Sequence, residues 1–200
     1  LALSGVCSIS LLQTPPLMRF PITTHIKLFN DNIIREAILF EVGRGGQIYF
    51  VHNNIQSINS CVDQLRALLP NQIIRSIHGK ESSQNIENKM GLFLSGKIDV
   101  LVTTSIIEVG IDVPNANCII INNAHLFGLS QLYQMRGRVG RSHRQAYAYL
   151  LLPAQHKVQS QANKRLQSIV DNIKLGSGYH ISRSDMEIRG AGSLFGFKQS

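Results

Sequence analysis

Asp99-Val100-Leu101-Val102-Thr103-Thr104 is a short apolar run, rich in β-branched residues and closed by two hydroxyls. It predicts a strand buried on both faces, as parallel sheets require, because a strand with one wet face would alternate apolar and polar residues. Ser105-Ile106-Ile107-Glu108-Val109-Gly110-Ile111-Asp112-Val113-Pro114 follows. Pro114 closes that element, since its ring removes a backbone donor. A second apolar run, Cys118-Ile119-Ile120-Ile121, comes next. Thr103, Thr104, Gly110 and Asp112 are therefore expected just past a strand's carboxyl end, where open α/β sheets place their ligands.

The same alternation repeats along the chain. Asp31 or Asn32 can cap a helix through Val42, with Ile33, Ile34, Ala37 and Ile38 on one face. Gly43, Gly45 and Gly46 stop it, and Gln47 to Val51 reads as a strand. A helix carrying Ile55, Ile58, Val62, Leu65 and Leu69 ends at Pro70. Ile73 to Ile77 is the next strand and leads into His78-Gly79, and Ser83 can cap a third helix with Ile86, Met90, Phe93 and Leu94 as its apolar positions. Ala146 to Leu152 supplies the last strand. Strands and helices alternating at these lengths predict an α/β fold, a parallel sheet with helices on both faces. Beyond Pro153 the strand signals fade, and polar residues 155–173 with a Gly-punctuated tail predict a helical hairpin or hook against the domain. The expected organisation is a linker over 1–28, the α/β domain over 29–153 and the hairpin from 154 to 200. Leu1 opens in mid-pattern, so the chain is read as part of something larger.

Gln134-Met135-Arg136-Gly137-Arg138-Val139-Gly140-Arg141 carries the chemistry. Arginine presents a planar, permanently charged fork that matches phosphate oxygens. Gly137 and Gly140 let the backbone turn or approach a ligand where a Cβ would clash. Such an array suits charge developing on a transferred phosphoryl group.

Composition is consistent with this. Among 200 residues the apolar content of 44% argues for a globular chain, and the net charge of +8 favours a polyanionic partner, nucleic acid first. Without tryptophan and with few aromatics, contact through phosphates is the better expectation. Cys7, Cys61 and Cys118 have neither metal-ligand spacing nor a disulfide framework and read as small buried hydrophobes in a reducing cytosol. No apolar stretch approaches the length that crosses a bilayer. Gly91 to Ile98 nearly spells a P-loop, but Ile98 stands where a hydroxyl must meet Mg²⁺. No other P-loop occurs and no acidic pair follows an apolar strand, so the arginines are half of a site.

Thr103 to Pro114 and Gln134 to Arg141, in this order around one apolar strand, resemble motifs V and VI of superfamily 2 helicases. The wider order of segments resembles the second RecA-like domain of the transcription-repair coupling factor family. Leu3-Ser4-Gly5 with Thr14-Pro15-Pro16 is similar to the stretch after that family's motif III, Gly45 through Asn53 to its motif IV, and Phe127 through His143 to its extended motif VI. Asp185-Met186-Glu187-Ile188-Arg189-Gly190-Ala191-Gly192, with Lys198-Gln199-Ser200, resembles the translocation hairpin shared with the RecG branch-migration helicase. The short interval from Val51 to His78 lacks the longer insertion associated with RecG. Two stretches depart from the family pattern: Val6-Cys7 stands for Arg-Asp, and Lys80-Glu81 for Gln-Met.

The resemblance implies an ATP hydrolase that translocates on double-stranded DNA without separating its strands, pushes stalled RNA polymerase off damaged DNA and recruits excision repair. It implies Arg138 and Arg141 as the catalytic arginines on the β- and γ-phosphates of ATP. Gly110, Asp112 and Gln134 would border the nucleotide at the cleft with a first RecA-like domain, which would bring the P-loop and the Mg²⁺ ligands. His78, Gly79, Thr103 and Thr104 would hold the DNA backbone, and Arg189 and Gln199 would couple cleft closure to DNA movement. RNA polymerase and an excision-repair protein are implied partners through other domains, in a bacterial cytoplasm, with no membrane role. By itself the fragment is expected to be inactive. Two other readings stay open: a RecG-like branch-migration helicase, and a non-catalytic nucleic-acid-binding RecA-like module whose arginines only grip phosphates. A dinucleotide-binding domain is disfavoured because no GxGxxG follows a strand.

Overall fold

The computed structural model describes residues 21–104 and 113–153. In chain order the elements are β1 (Thr23–Leu28), α1 (Asp31–Gly43), β2 (Gln47–Val51), α2 (Ile58–Leu68), β3 (Ile74–Ile77), α3 (Ser83–Leu94), β4 (Val100–Thr103), β5 (Ala116–Ile121), a 3-10 turn (Ala124–Leu126), α4 (Leu129–Arg136) and β6 (Tyr147–Leu152). The strands form one sheet in the order β1-β6-β5-β2-β4-β3, with every neighbouring pair parallel. This is the expected architecture, a parallel sheet covered by helices.

Why the central strands read as unbroken apolar runs is visible in the two cores. Ile48 and Phe50 of β2, Val100 and Val102 of β4, and Cys118 and Ile120 of β5 pack with Ile34, Ile38, Val62 and Leu65 of α1 and α2. The intervening Tyr49, Val51, Leu101, Ile119 and Ile121 face the other way and meet Met90, Phe93, Leu132 and Met135 of α3 and α4. A period of two on two apolar faces leaves no polar positions. Each fully buried large side chain stabilises by about 1.5–3 kcal/mol relative to exposure.

The helix starts differ from the sequence expectation by one residue. Asn30, not Asp31 or Asn32, caps α1, its side chain accepting from Asn32 N at 2.8 Å. Ser82, not Ser83, caps α3 by accepting from Asn85 N at 3.4 Å. Both are residues whose extended backbone lets a short polar side chain fold back onto the first turn. Leu94 proves 46% exposed, lying at the last turn of α3 away from the sheet. The larger correction is β1. Residues 23–28 fall within the stretch read as a linker, yet they pair with β6 from Thr23↔Tyr147 to Leu28↔Leu152. An edge strand has a neighbour on one side only, so TTHIKL can stay polar and carries no apolar run to betray it.

The expected hairpin, Gly110, Asp112, Arg189 and Gln199 lie outside the described residues.

Candidate functional site

Because all strands run parallel, their carboxyl ends share one edge. His52 follows β2, His78 follows β3, Thr104 follows β4 and Asn122 follows β5. His52 N donates to Thr103 O at 2.8 Å and Asn122 N to Val51 O at 2.9 Å, which extends the ladder one residue past the strands. The His52 ring lies 3.3 Å from Asn122 Nδ2 through Nδ1 and 2.8 Å from Ser57 Oγ through Nε2. Asn122 Nδ2 can only donate, so Nδ1 accepts and the proton sits on Nε2. Burial lowers the His52 pKa, in keeping with a neutral ring. A cavity of about 530 Å³ opens beside this trio between α1 and α2, with Ile34, Phe50 and Leu65 among its lining. Sequence reasoning passed over His52 and Asn122; only the strand-end position of each signalled them.

His78 and Gly79 also stand on this edge, where the sequence placed them. His78 Nε2 lies 3.7 Å from Glu81 Oε1, and Glu81 Oε2 is 2.6 Å from Lys89 Nζ, which donates at 2.8 Å to Ser76 O as well. Glu81 is one of the departures from the family pattern, and it sets a carboxylate beside His78 that Lys89 balances. Thr103 and Thr104 are 1% and 6% exposed, so their side chains fill the sheet edge more than the sequence suggests. Thr103 Oγ1 and His78 Nδ1 are enclosed with no hydrogen-bond partner among the described residues. An enclosed polar atom left unpaired costs about 1–3 kcal/mol, a debit that an oxyanion or a hydroxyl at this edge would remove.

The arginines lie elsewhere. Helix α4 ends at Arg136, and the chain turns through residues 137–146 before entering β6 at Tyr147, so this loop sits at the amino edge of the sheet. Gly140 marks the spot: its φ is +77°, and a Cβ there would stand 3.1 Å from Ile22 Cγ1 and 3.3 Å from Ala146 Cβ. Those two residues immediately precede β1 and β6. Gly140 is thus required by packing on the sheet, where the sequence reading allowed for approach to a ligand. Arg136 is drawn over the Tyr133 ring, 4.9 Å from its centroid, and so belongs to the end of α4. Arg138 and Arg141 are partly exposed, and the Arg138 guanidinium makes no hydrogen bond or ion pair among the described residues. Gln134 lies on the exposed side of α4.

The fold therefore sorts the expected residues into two groups. Gln134, Arg138 and Arg141 share one short segment leading to the amino edge, while His78, Gly79, Thr103 and Thr104 share the carboxyl edge. After the stretch holding Gly110 and Asp112, the chain resumes at Val113, whose carbonyl accepts from Ala116 N at the amino edge. Among the described residues no group of three or more His, Cys, Asp or Glu side chains is placed to hold a metal ion, and no helix is long and apolar enough to cross a membrane.

The family model of the helicase conserved C-terminal domain matches residues 30–143. The transcription-repair-coupling factor of Myxococcus xanthus is 48% identical over 200 residues, which is all of this chain and 17% of that protein. Its counterpart in Bacillus subtilis is 45% identical over 199 residues, again covering 17% of the relative. Among solved structures, RecG bound to a three-way DNA junction matches with a TM-score of 0.73 and 36% identity, over 90% of this chain and 24% of that one.

Proposed function

Because the chain belongs to the helicase conserved C-terminal domain family, we propose that it is the second RecA-like half of an ATP-driven double-stranded DNA translocase. In this reading the parent protein displaces stalled RNA polymerase and couples transcription to excision repair in a bacterial cytoplasm. The observation that carries it is the sorting of charged and polar residues onto opposite edges of one sheet. A motor domain must touch the nucleotide and the DNA at different places, so that hydrolysis at one can alter grip at the other. A module that merely grips phosphates needs one surface. The high identity to transcription-repair-coupling factors along the whole chain supports this reading over a RecG-like one.

At the amino edge, Arg138 and Arg141 would meet the β- and γ-phosphates of ATP, with Gln134, Gly110 and Asp112 beside them. Arg138 suits this because no described partner neutralises it. Mg²⁺ held by the first RecA-like domain would neutralise phosphate charge, and this chain's part is to supply the arginines. At the carboxyl edge, His78, Gly79, Thr103 and Thr104 would hold one strand of the duplex by its backbone. The unpaired His78 Nδ1 and Thr103 Oγ1 support this. Residues 154–200 would form the translocation hairpin.

The isolated chain, tested directly, should bind duplex DNA weakly and without sequence preference. Its affinity should fall with salt at a log–log slope of about 0.9 per phosphate neutralised. It should show no DNA-stimulated ATPase, since it carries no P-loop. A sequence preference that survives high salt would sink the backbone-contact reading.

Arg189 lies beyond β6, past the arginine loop in the chain. Arg189→Ala in the parent is expected to leave most of the ATPase while abolishing displacement of a DNA triplex. Equal loss of both activities would make Arg189 a residue of the fold or the cleft.

A further inference from the structure

One buried ionic group lies outside both edges' proposed contacts. Glu41, in the last turn of α1, has a fully buried side chain. Arg44 Nη2 and Nε donate to its Oε2 at 2.6 and 2.9 Å. Burial pushes the Glu41 carboxyl above its ordinary range, while Arg44 foremost, then Asn117 and Arg144, pull it back. The Arg44 guanidinium is also flanked by the Phe40 and Tyr147 rings, 5.3 Å from each centroid.

What Glu41 orients is the link to the arginine loop. Arg44 Nη2 donates to Gln145 O, and Arg144 Nη1 donates back to Arg44 O. Three residues earlier than Gln145, Ser142 Oγ donates to Asn117 Oδ1 at the start of β5. Gln145 Nε2 in turn donates at 2.6 Å to Pro21 O. The stretch from Ser142 to Gln145 is thereby tied to α1, β5 and the approach to β1, immediately after Arg141. A loop of glycines and long side chains has no such rigidity of its own.

We propose that Glu41, Arg44 and Arg144 form a clasp that positions the loop carrying Arg138 and Arg141 against the nucleotide phosphates. The proposal rests on the motor reading above. The three are positioning residues: Arg44 touches the loop backbone at Gln145 O, Glu41 holds Arg44, and Arg144 reaches from the loop back to Arg44 O. Arginines that stabilise developing charge must be held in place beforehand, and a misplacement of about 1 Å can cost on the order of 10²-fold in rate.

Removing Arg44 would strand the buried Glu41 carboxylate and destabilise the whole domain, so the test uses its exposed partner. In the full parent protein, Arg144→Ala should lower the ATPase kcat at saturating duplex DNA by about tenfold. The KM for ATP and the Kd for DNA should stay within about twofold of the parent. Arg144→Lys, which can still donate to Arg44 O, should recover the rate to within about threefold. Ser142→Ala cuts the loop's neighbouring tie to Asn117 with no charge change and should lower kcat in the same direction. Unchanged kcat in both alanine variants, while Arg141→Ala is inactive, overturns the clasp and leaves the motor reading standing. A fall in kcat that comes with a lowered Tm and is not restored by lysine overturns it as a general fold defect. Full activity in Arg141→Ala would remove the motor reading and the clasp with it.

Discussion

Arg141→Ala in the full parent protein is expected to reduce the DNA-stimulated ATPase rate by about 10³-fold, the lower end for an arginine that meets charge on a transferred phosphoryl group. That corresponds to about 4 kcal/mol of lost transition-state stabilisation. Affinity for duplex DNA should move by less than about threefold, because Arg141 stands at the amino edge and the proposed DNA contacts at the other. Steady-state phosphate release and a DNA-binding titration on the same preparation separate the two terms. If binding collapsed while hydrolysis persisted, the arginine would belong to the DNA groove and the sorting of the two edges would have been misread.

The largest effect on stability is expected at Gly46. A Cβ there would stand 1.7 Å from Glu41 Oε1 and 2.6 Å from Glu41 Cδ. An exposed glutamate would swing aside, but this one is fully buried and held by Arg44. Gly46→Ala must therefore break the ion pair or shift the start of β2, and either leaves a buried charge poorly compensated. The expected loss is about 3–5 kcal/mol in denaturant unfolding. Gly91 in α3 provides the contrast, since a Cβ there meets nothing within 4 Å. Gly91→Ala should stabilise by about 0.5–1 kcal/mol. Similar small effects from both substitutions would show that Glu41 is free to move.

The sheet was legible because its central strands are buried on both faces, so that Val100 to Thr103 and Cys118 to Ile121 stand out as runs. β1 was not, since an edge strand needs no such run. Neither was α4: Leu129 to Arg136 is short and mixes polar residues with Leu132 and Met135, which reach the core. The arginines were legible from chemistry alone, as residue types crowded at one spacing. The separation of Arg138 and Arg141 from His78 was not, because it follows from the parallel direction of strands distant in sequence. Nor was the role of Gly140, whose neighbour Ile22 lies far back in the chain. Nothing in the sequence singled out Glu41, and only Gly46 and Arg44 folding onto it make it a buried anchor.

The pairing of β1 with β6 has a mechanical side. The chain comes in ahead of Thr23 at the amino end of one strand and goes out past Leu152 at the carboxyl end of its parallel neighbour. Tension between those two connections would drag the strands lengthwise past each other. Their six registered pairs, with Thr23 N to Ala146 O and Phe29 N to Leu152 O at the two ends, would then bear the load together in shear. A hairpin pulled from its open end would instead unzip one bond at a time.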